Sequence, residues 1–471
     1  LARRRTLARA ALVAVALLVA AVGVFLTFWI FPTATGYSAK IACSSIFVAG
    51  MDEQRVADEE LAAIPFASFS VDRDALTVTS TAYGLASRTA VYREGLGCAL
   101  AVDVELDALR AMAFEAPRAA ASDEPWPRGD GSDERSDPPG LDRVALDAAV
   151  ADAFAEPNPS NLRRTRAVIV VHGGRIVAER YADGFSKESP MLGWSMTKSI
   201  TNALVGLRVG QGAIDIDAPA PINAWRHDAR AEITVDQLMR MSSGLHFEEV
   251  YGILADATHM LFEIDDAASF AIAQPAAAEP DTVFSYSSGT SNILSFIVRE
   301  TFDDLAAYHR FPHEALFEPI GMRSAVLETD GSGTFVGSSF TYATARDWAR
   351  FGLLYLQDGT WEGKRILPEG WVEYTREVTP PAPMGEYTAQ WWANVGAPDN
   401  PARRKLPDVP TDAVWASGYQ GQTVMFVPSR DAVIVRLGLS QTRPAFDRNA
   451  FVASVLAALP PPASAGDAQH S

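Results

Sequence analysis

The chain has 471 residues, 48% of them hydrophobic, enough to bury a core larger than one small domain. A formal net charge of -18 makes most of the surface repel a phosphate backbone, so nucleic-acid binding is set aside. Two cysteines and seven histidines, with no Cys-x-x-Cys or His-Glu-x-x-His spacing, predict no metal site and no cofactor.

At the N-terminus Arg3, Arg4, Arg5 and Arg9 precede an uncharged apolar run from Ala10 to Ile30. At about 1.5 Å per helical residue the run matches a hydrocarbon core of roughly 30 Å, and it is longer than the apolar part of a cleavable signal. Residues 1–36 therefore read as a membrane anchor. The arginines keep the short N-terminus cytoplasmic and place the rest of the chain in the periplasm or outside the cell. A signal cleaved among the small residues from Thr33 to Gly36 is the competing reading and would give a secreted protein. A lipoprotein site at Cys43 fits less well, because Lys40 interrupts the approach. Export allows Cys43 and Cys98 to pair in a disulfide, the alternative being two buried thiols.

Residues 37–114 carry short apolar or alternating stretches, Ala75 to Thr81 and Cys98 to Val104, punctuated by Gly84, Gly95 and Gly97. They predict a small accessory subdomain without a catalytic constellation. Residues 115–140 mix Pro117, Pro125, Pro127, Pro138 and Pro139 with charged and small side chains, too little apolar area to offset ordering entropy, and read as a linker. The main body is 141–459, and 460–471 is a Pro/Ala/Ser/Gly tail expected to fray.

In the main body Ala167 to Val171 and Arg175 to Arg180 flank His172-Gly173-Gly174 as a β-hairpin. A second hairpin is expected where Thr423 to Val427 and Ala432 to Arg436 flank Pro428 to Asp431, followed by a helical pattern from Phe446 to Leu459. Hairpins at both ends with helical sequence between them imply one antiparallel sheet built from both ends of the domain plus an inserted helical region, an α+β layout.

The chemistry begins at Gly193-Trp194-Ser195-Met196-Thr197-Lys198. Ile200, Ala203, Leu204 and Leu207 then recur at helical spacing until Gly210. Ser195 sits at the helix start and Lys198 lies three residues on, on nearly the same face. A serine hydroxyl needs an adjacent base to attack, and N–H groups at a helix start stabilise a developing oxyanion. Taken alone, this spacing also occurs on solvated helix faces. A second segment, Ser285-Tyr286-Ser287-Ser288-Gly289, offers Tyr286 as a proton carrier, or as a structural tyrosine at a helix entry. The third, Trp415-Ala416-Ser417-Gly418-Tyr419, combines a strand end with a glycine that permits close backbone approach, or forms a simple turn.

In this order the three segments resemble the serine β-lactamase and penicillin-binding protein superfamily, and its class C-like branch of family VIII esterases, D-aminopeptidases and 6-aminohexanoate-dimer hydrolases in particular. The resemblance covers about residues 160 to 459. It is strengthened by Val168 to Gly174, Leu238-Met239-Arg240-Met241-Ser242-Ser243-Gly244-Leu245 and Glu318-Pro319-Ile320-Gly321-Met322. It implies Ser195 as nucleophile, Lys198 as base and Tyr286 as second proton carrier, with oxyanion or substrate contacts from Ser195, Ser288, Ser417, Gly418 and Tyr419. Two departures stand out: Ser288 replaces the asparagine of the usual Tyr-x-Asn, and Ala416 replaces the usual Lys or His, leaving no cation in the motif to hold a substrate carboxylate. Hydrolysis of a small ester or amide through an acyl-enzyme is the leading expectation. A cell-wall DD-peptidase or D-amino-acid amidase and a non-catalytic binding protein are the alternatives. Trp194, Trp391, Trp392 and Trp415 either line an aromatic pocket or fill the core.

Overall fold

The computed structural model describes residues 2–117, 122–131 and 135–461. The expected tail at 460–471 and parts of the 115–140 segment lie largely outside those residues. Helical backbone is continuous from Ala2 to Phe47: helix α1 (Ala2–Phe25), one π-turn (Leu26–Ile30) and helix α2 (Phe31–Phe47). Apolar side chains of α1 such as Leu12 and Leu17 are exposed, whereas α2 is buried almost throughout. The helix therefore runs straight through the boundary expected at residue 36, and the change in environment falls at Phe31. Thr33 to Gly36, the competing processing site, are buried within helix.

Helix α2 lies on a four-stranded antiparallel meander of β1 (Ala67–Asp72), β2 (Thr77–Ala82), β3 (Ala86–Arg93) and β4 (Gly97–Ala101). A disulfide joins Cys43 on α2 to Cys98 on β4 across a sequence separation of 55. Closing a loop of that size in the unfolded chain stabilises the fold by about 4 kcal/mol.

The main sheet is formed by β5 (Thr165–His172), β6 (Arg175–Tyr181), β7 (Trp392–Ala393), β8 (Val414–Ser417), β9 (Thr423–Val427) and β10 (Ala432–Gly438). All pairs are antiparallel, in the order β7-β8-β9-β10-β5-β6, so β10 from the C-terminal end pairs with β5 from the N-terminal end. The α+β layout read from the two hairpins is the one observed. Both faces of the sheet are covered, which explains why β5 and β10 are continuous apolar runs without polar alternation. Ile169, Val171, Val433, Val435, Val424 and Ala416 face the larger core. Val168, Val170, Ile434, Met425 and Trp415 face a second core. That second core is closed by α3 (Arg143–Ala153) and the C-terminal helix, which runs over Arg448–Ala458.

The helical region between the hairpins contains α4 (Thr197–Gly210), α5 (Val235–Met239), α6 (Asp256–Phe262), α7 (Ser288–Arg299) and α8 (Ala345–Leu356), and the C-terminal helix becomes α9. Two arginines of α8 pin down the segment read as a linker. Arg350 donates to the carbonyls of Pro127 (2.9 Å) and Gly129 (2.6 Å), while Arg346 donates to that of Asp130 (2.7 Å) and Trp126 is buried. Composition gave no warning of this, because the anchoring groups come from residues more than two hundred positions on.

The accessory sheet is not independent of the main body. Gly36 lets α2 close on α6, since a Cβ there would fall 2.0 Å from the Phe262 carbonyl oxygen. Lys40 of α2 pairs with Glu328 of the main body, and Glu328 also accepts from the Ser44 hydroxyl (2.8 Å) and the Cys98 N–H (2.7 Å). All of these groups are buried.

Candidate active site

Ser195 is delivered by a strained turn. Trp194 adopts a positive φ of 48°, and Ser195 occupies a single 3-10 turn (Trp194–Met196) before α4 begins. Three residues later Lys198 is 1% exposed. Its Nζ lies 3.3 Å from Ser195 Oγ, 3.0 Å from Ser288 Oγ and 3.1 Å from the Ser338 carbonyl oxygen.

These three neighbours dictate how the amine is oriented. The Ser288 hydroxyl donates to Glu249 Oε1 (2.7 Å), and the Ser288 N–H donates to Glu249 Oε2 (2.6 Å), so Ser288 Oγ is left to accept from Lys198. The Ser338 carbonyl can only accept. A neutral amine with two protons spent on those partners turns its lone pair to Ser195, which is the arrangement a base requires. Burial pulls Lys198 down to about 8, with the charge of Glu249 working the other way. The neutral amine is thus a minor but accessible form at neutral pH, far more populated than for an ordinary lysine.

Tyr286 enters from the loop before α7. Its hydroxyl contacts Ser195, and its ring centroid lies 4.9 Å from Lys198 Nζ. Burial, and then the charge of Glu249, pushes the hydroxyl well above the ordinary tyrosine range, so it stays protonated. A second tyrosine, Tyr251, also reaches Ser195 with its hydroxyl. Its ring packs 4.9 Å from that of Tyr419, which in turn meets Trp194 edge-on at 5.6 Å.

The third segment ends β8 against the nucleophile turn. A Cβ on Gly418 would lie 2.1 Å from the Gly193 carbonyl oxygen, so only glycine permits this approach. Ser417 has the strand parity of Trp415 and faces α9. There Arg448 Nη2 donates to Ser417 Oγ at 2.9 Å. Arg443 lies close enough to act on both Arg448 and Tyr286, and burial, then Arg443, pulls Arg448 to about 10. Neither arginine has a carboxylate partner among the described residues.

With this geometry in place the chain can be compared with known proteins. The sequence profile described as Beta-lactamase matches residues 150–458. The chain belongs to the beta-lactamase family. It is 27% identical over 299 residues to the 6-aminohexanoate-dimer hydrolase of Paenarthrobacter ureafaciens, covering 58% of this chain and 72% of that one. A solved structure from Bacillus anthracis, named as a candidate 6-aminohexanoate-dimer hydrolase, is 26% identical. The likeness has a TM-score of 0.52 and covers 63% of this chain and 77% of that one. A penicillin-binding protein homologue from Caulobacter crescentus shares the fold at 15% identity and a TM-score of 0.51, covering 67% of this chain and 97% of that one. The beta-lactamase domain is accordingly that of a hydrolase.

The structure brings Ser195, Lys198 and Tyr286 together and sets Ser417, Gly418 and Tyr419 beside them. It changes one expectation and adds to another. Ser288 was expected to meet substrate, yet it is fully buried, and its hydroxyl is committed between Lys198 and Glu249. The third motif itself carries no cation, as its sequence says, but Arg448 of α9 brings a guanidinium to Ser417 from a different element. Glu249 and Tyr251 were missed, because neither belongs to a motif and only the chain's return past the nucleophile brings them in. Of the four tryptophans, Trp391 and Trp415 are core, the Trp392 ring lies tilted 5.2 Å from Tyr286, and Trp194 is buried beneath Tyr419.

Proposed function

We propose that the beta-lactamase domain hydrolyses an amide or ester through an acyl-enzyme on Ser195, with a substrate that carries a carboxylate near the scissile bond. Neutral Lys198 takes the Ser195 proton as Oγ bonds to the substrate carbonyl carbon. The oxyanion is held by the N–H groups of Ser195 and Tyr419. When the tetrahedral intermediate collapses, the proton passes through Lys198 and Tyr286 to the leaving amine or alkoxide. Water then repeats the sequence on the acyl-enzyme. The observation that carries this reading is the three-way setting of the Lys198 amine, with two acceptors fixed and the third direction on Ser195.

The carboxylate preference rests on Arg448 at Ser417 and on Arg443, two guanidiniums without acidic partners among the described residues, in a chain of charge -18. The relative named for 6-aminohexanoate dimer, a linear amide ending in a carboxylate, fits the same arrangement. A peptide C-terminus presents the same group, so a carboxypeptidase of cell-wall type is the second reading. We further infer that α1 anchors the enzyme with its catalytic domain exported. The exposed apolar helix and the disulfide support this.

A panel of linear ω-amino-acid amides, D-Ala-D-Ala peptides, nitrocefin and p-nitrophenyl esters, run beside fluorophosphonate labelling, tests the reading. Turnover of the linear amides, with labelling lost in Ser195→Ala, is expected. Labelling that persists in Ser195→Ala would place the nucleophile elsewhere, and no labelling or turnover by the wild type would leave a non-catalytic binding protein.

A further inference from the structure

The apolar helix does not meet the folded domain alone. Solvent exposure continues to the end of the π-turn, with Phe28 69% and Trp29 56% exposed, and burial begins at Phe31. At that residue the accessory sheet arrives: the Phe31 ring lies 5.8 Å from Tyr83 and 5.9 Å from Phe66. Tyr83 and Leu85 flank Gly84 in the tight turn joining β2 to β3, where the Leu85 N–H donates to the Ala82 carbonyl. Such a turn needs positive φ at both central positions, and Tyr83 (φ 51°) and Gly84 (φ 70°) comply. Asparagine or aspartate is the usual choice before the glycine. Here a tyrosine accepts the strained conformation and is left 73% exposed, with Leu85 60% exposed beside it.

The opposite end of the same sheet is different. The β1–β2 turn carries exposed Asp72, Arg73 and Asp74. The more exposed apolar pair, Tyr83 and Leu85, thus lies at the end where the membrane-length helix enters, whereas at the other end Leu76, 40% exposed, sits among charges.

We propose that the Tyr83-Gly84-Leu85 tip is a second membrane contact, seated in the boundary between headgroups and acyl chains of the bilayer that α1 crosses. The occupant is the lipid surface itself, because the tip is continuous with the Phe28, Trp29 and Phe31 belt where aromatic side chains mark an interface. Two contacts hold the catalytic domain in one orientation, whereas a lone helix would let it swing. The cleft is then kept near the headgroups. Tyr37 lies six residues beyond Phe31, about 9 Å along the helix, and it is within electrostatic reach of Tyr251 and Tyr419. The proposal rests on reading α1 as a membrane span.

Both native cysteines are in the disulfide, so an introduced cysteine is the only free thiol. The full chain is reconstituted in vesicles of phosphatidylethanolamine and phosphatidylglycerol, with an NBD fluorophore at Tyr83→Cys, Leu85→Cys, Leu76→Cys or Leu18→Cys, and nitroxide-bearing lipid is the quencher. Fluorophosphonate labelling of each variant confirms folding. Labels at 83 and 85 are expected to be quenched about as strongly as at 18 and several-fold more than at 76. Quenching at 83 and 85 no greater than at 76, with 18 fully quenched, would overturn the proposal while leaving the anchor standing. Absence of quenching at 18 would remove the anchor and the proposal together.

Discussion

Among the described residues two lysines are buried, each within hydrogen-bond reach of a serine three or four positions away in the chain, and the two are built for opposite ends. Lys40 donates to Ser44 Oγ at 2.9 Å and is in direct contact with the carboxylate of Glu328, which has no exposed surface. Lys198 is in reach of Ser195 Oγ, but its nearest carboxylate, Glu249, stands one residue removed behind Ser288. A carboxylate in contact locks an ammonium into an ion pair and makes it a bolt between α2 and the main body. A carboxylate at one remove moderates the effect of burial without capturing the proton, so Lys198 falls to about 8 and can act as a base. Separation from the counter-charge, more than burial or the neighbouring serine, distinguishes the ion-paired lysine from the one proposed as the base.

The sharpest way to break this comparison is to remove Lys198 itself and then the counter-charge of Lys40. Lys198→Ala is expected to lower kcat/KM by roughly 10² to 10⁴-fold with little change in thermal stability, as for a lost general base. Undiminished turnover of the best panel substrate would place the base elsewhere. Glu328→Gln should do the reverse. It leaves Lys40 buried without its counter-charge and should cost about 3 to 5 kcal/mol in urea unfolding, while the folded fraction keeps its kcat. Equal stability would mean that α2 is not held by this pair. Next in size is Arg448→Ala, which should raise KM for carboxylate-bearing amides by roughly tenfold or more and leave neutral p-nitrophenyl esters unaffected. An equal loss on both substrate types would make the arginine a structural support of Ser417.

Glu249→Gln should give the smallest change and the most informative one. The carboxylate favours the charged form of Lys198, so its removal lowers the lysine further. The base is then free at lower pH, and the acid limb of kcat/KM should move down the pH scale. Movement upward, or none, would mean that the charge of Glu249 does not act on the base.

Much of the molecule could be read from sequence where the signal was local. The two hairpins, the helix after Ser195 and the spacing of Ser195 and Lys198 are carried by periodicity and short-range pattern, and the sheet order follows from pairing the chain's two ends. What escaped was long-range. Arg448 meets Ser417 across 31 positions, Lys40 meets Glu328 across 288, and the arginines of α8 pin the 115–140 segment across more than two hundred. Ser288 illustrates the limit most clearly. Its place in the Tyr-x-Asn pattern suggested a substrate contact, whereas its two partners, Lys198 and Glu249, come from separate segments that meet only in the folded chain.

The central claim is that Ser195 is activated by a lysine that loses its proton at about pH 8, low enough for the neutral base to be populated near physiological pH. The most direct measurement is the second-order rate constant of fluorophosphonate labelling as a function of pH, read by intact-mass spectrometry on the full chain. Only neutral Lys198 can accept the serine proton, so the rate should be low in acid, rise as a single proton is lost, and level off above a midpoint at about 8. The same limb should vanish in Lys198→Ala. A profile flat from pH 5 to 10, or a limb that survives in Lys198→Ala, would contradict the account.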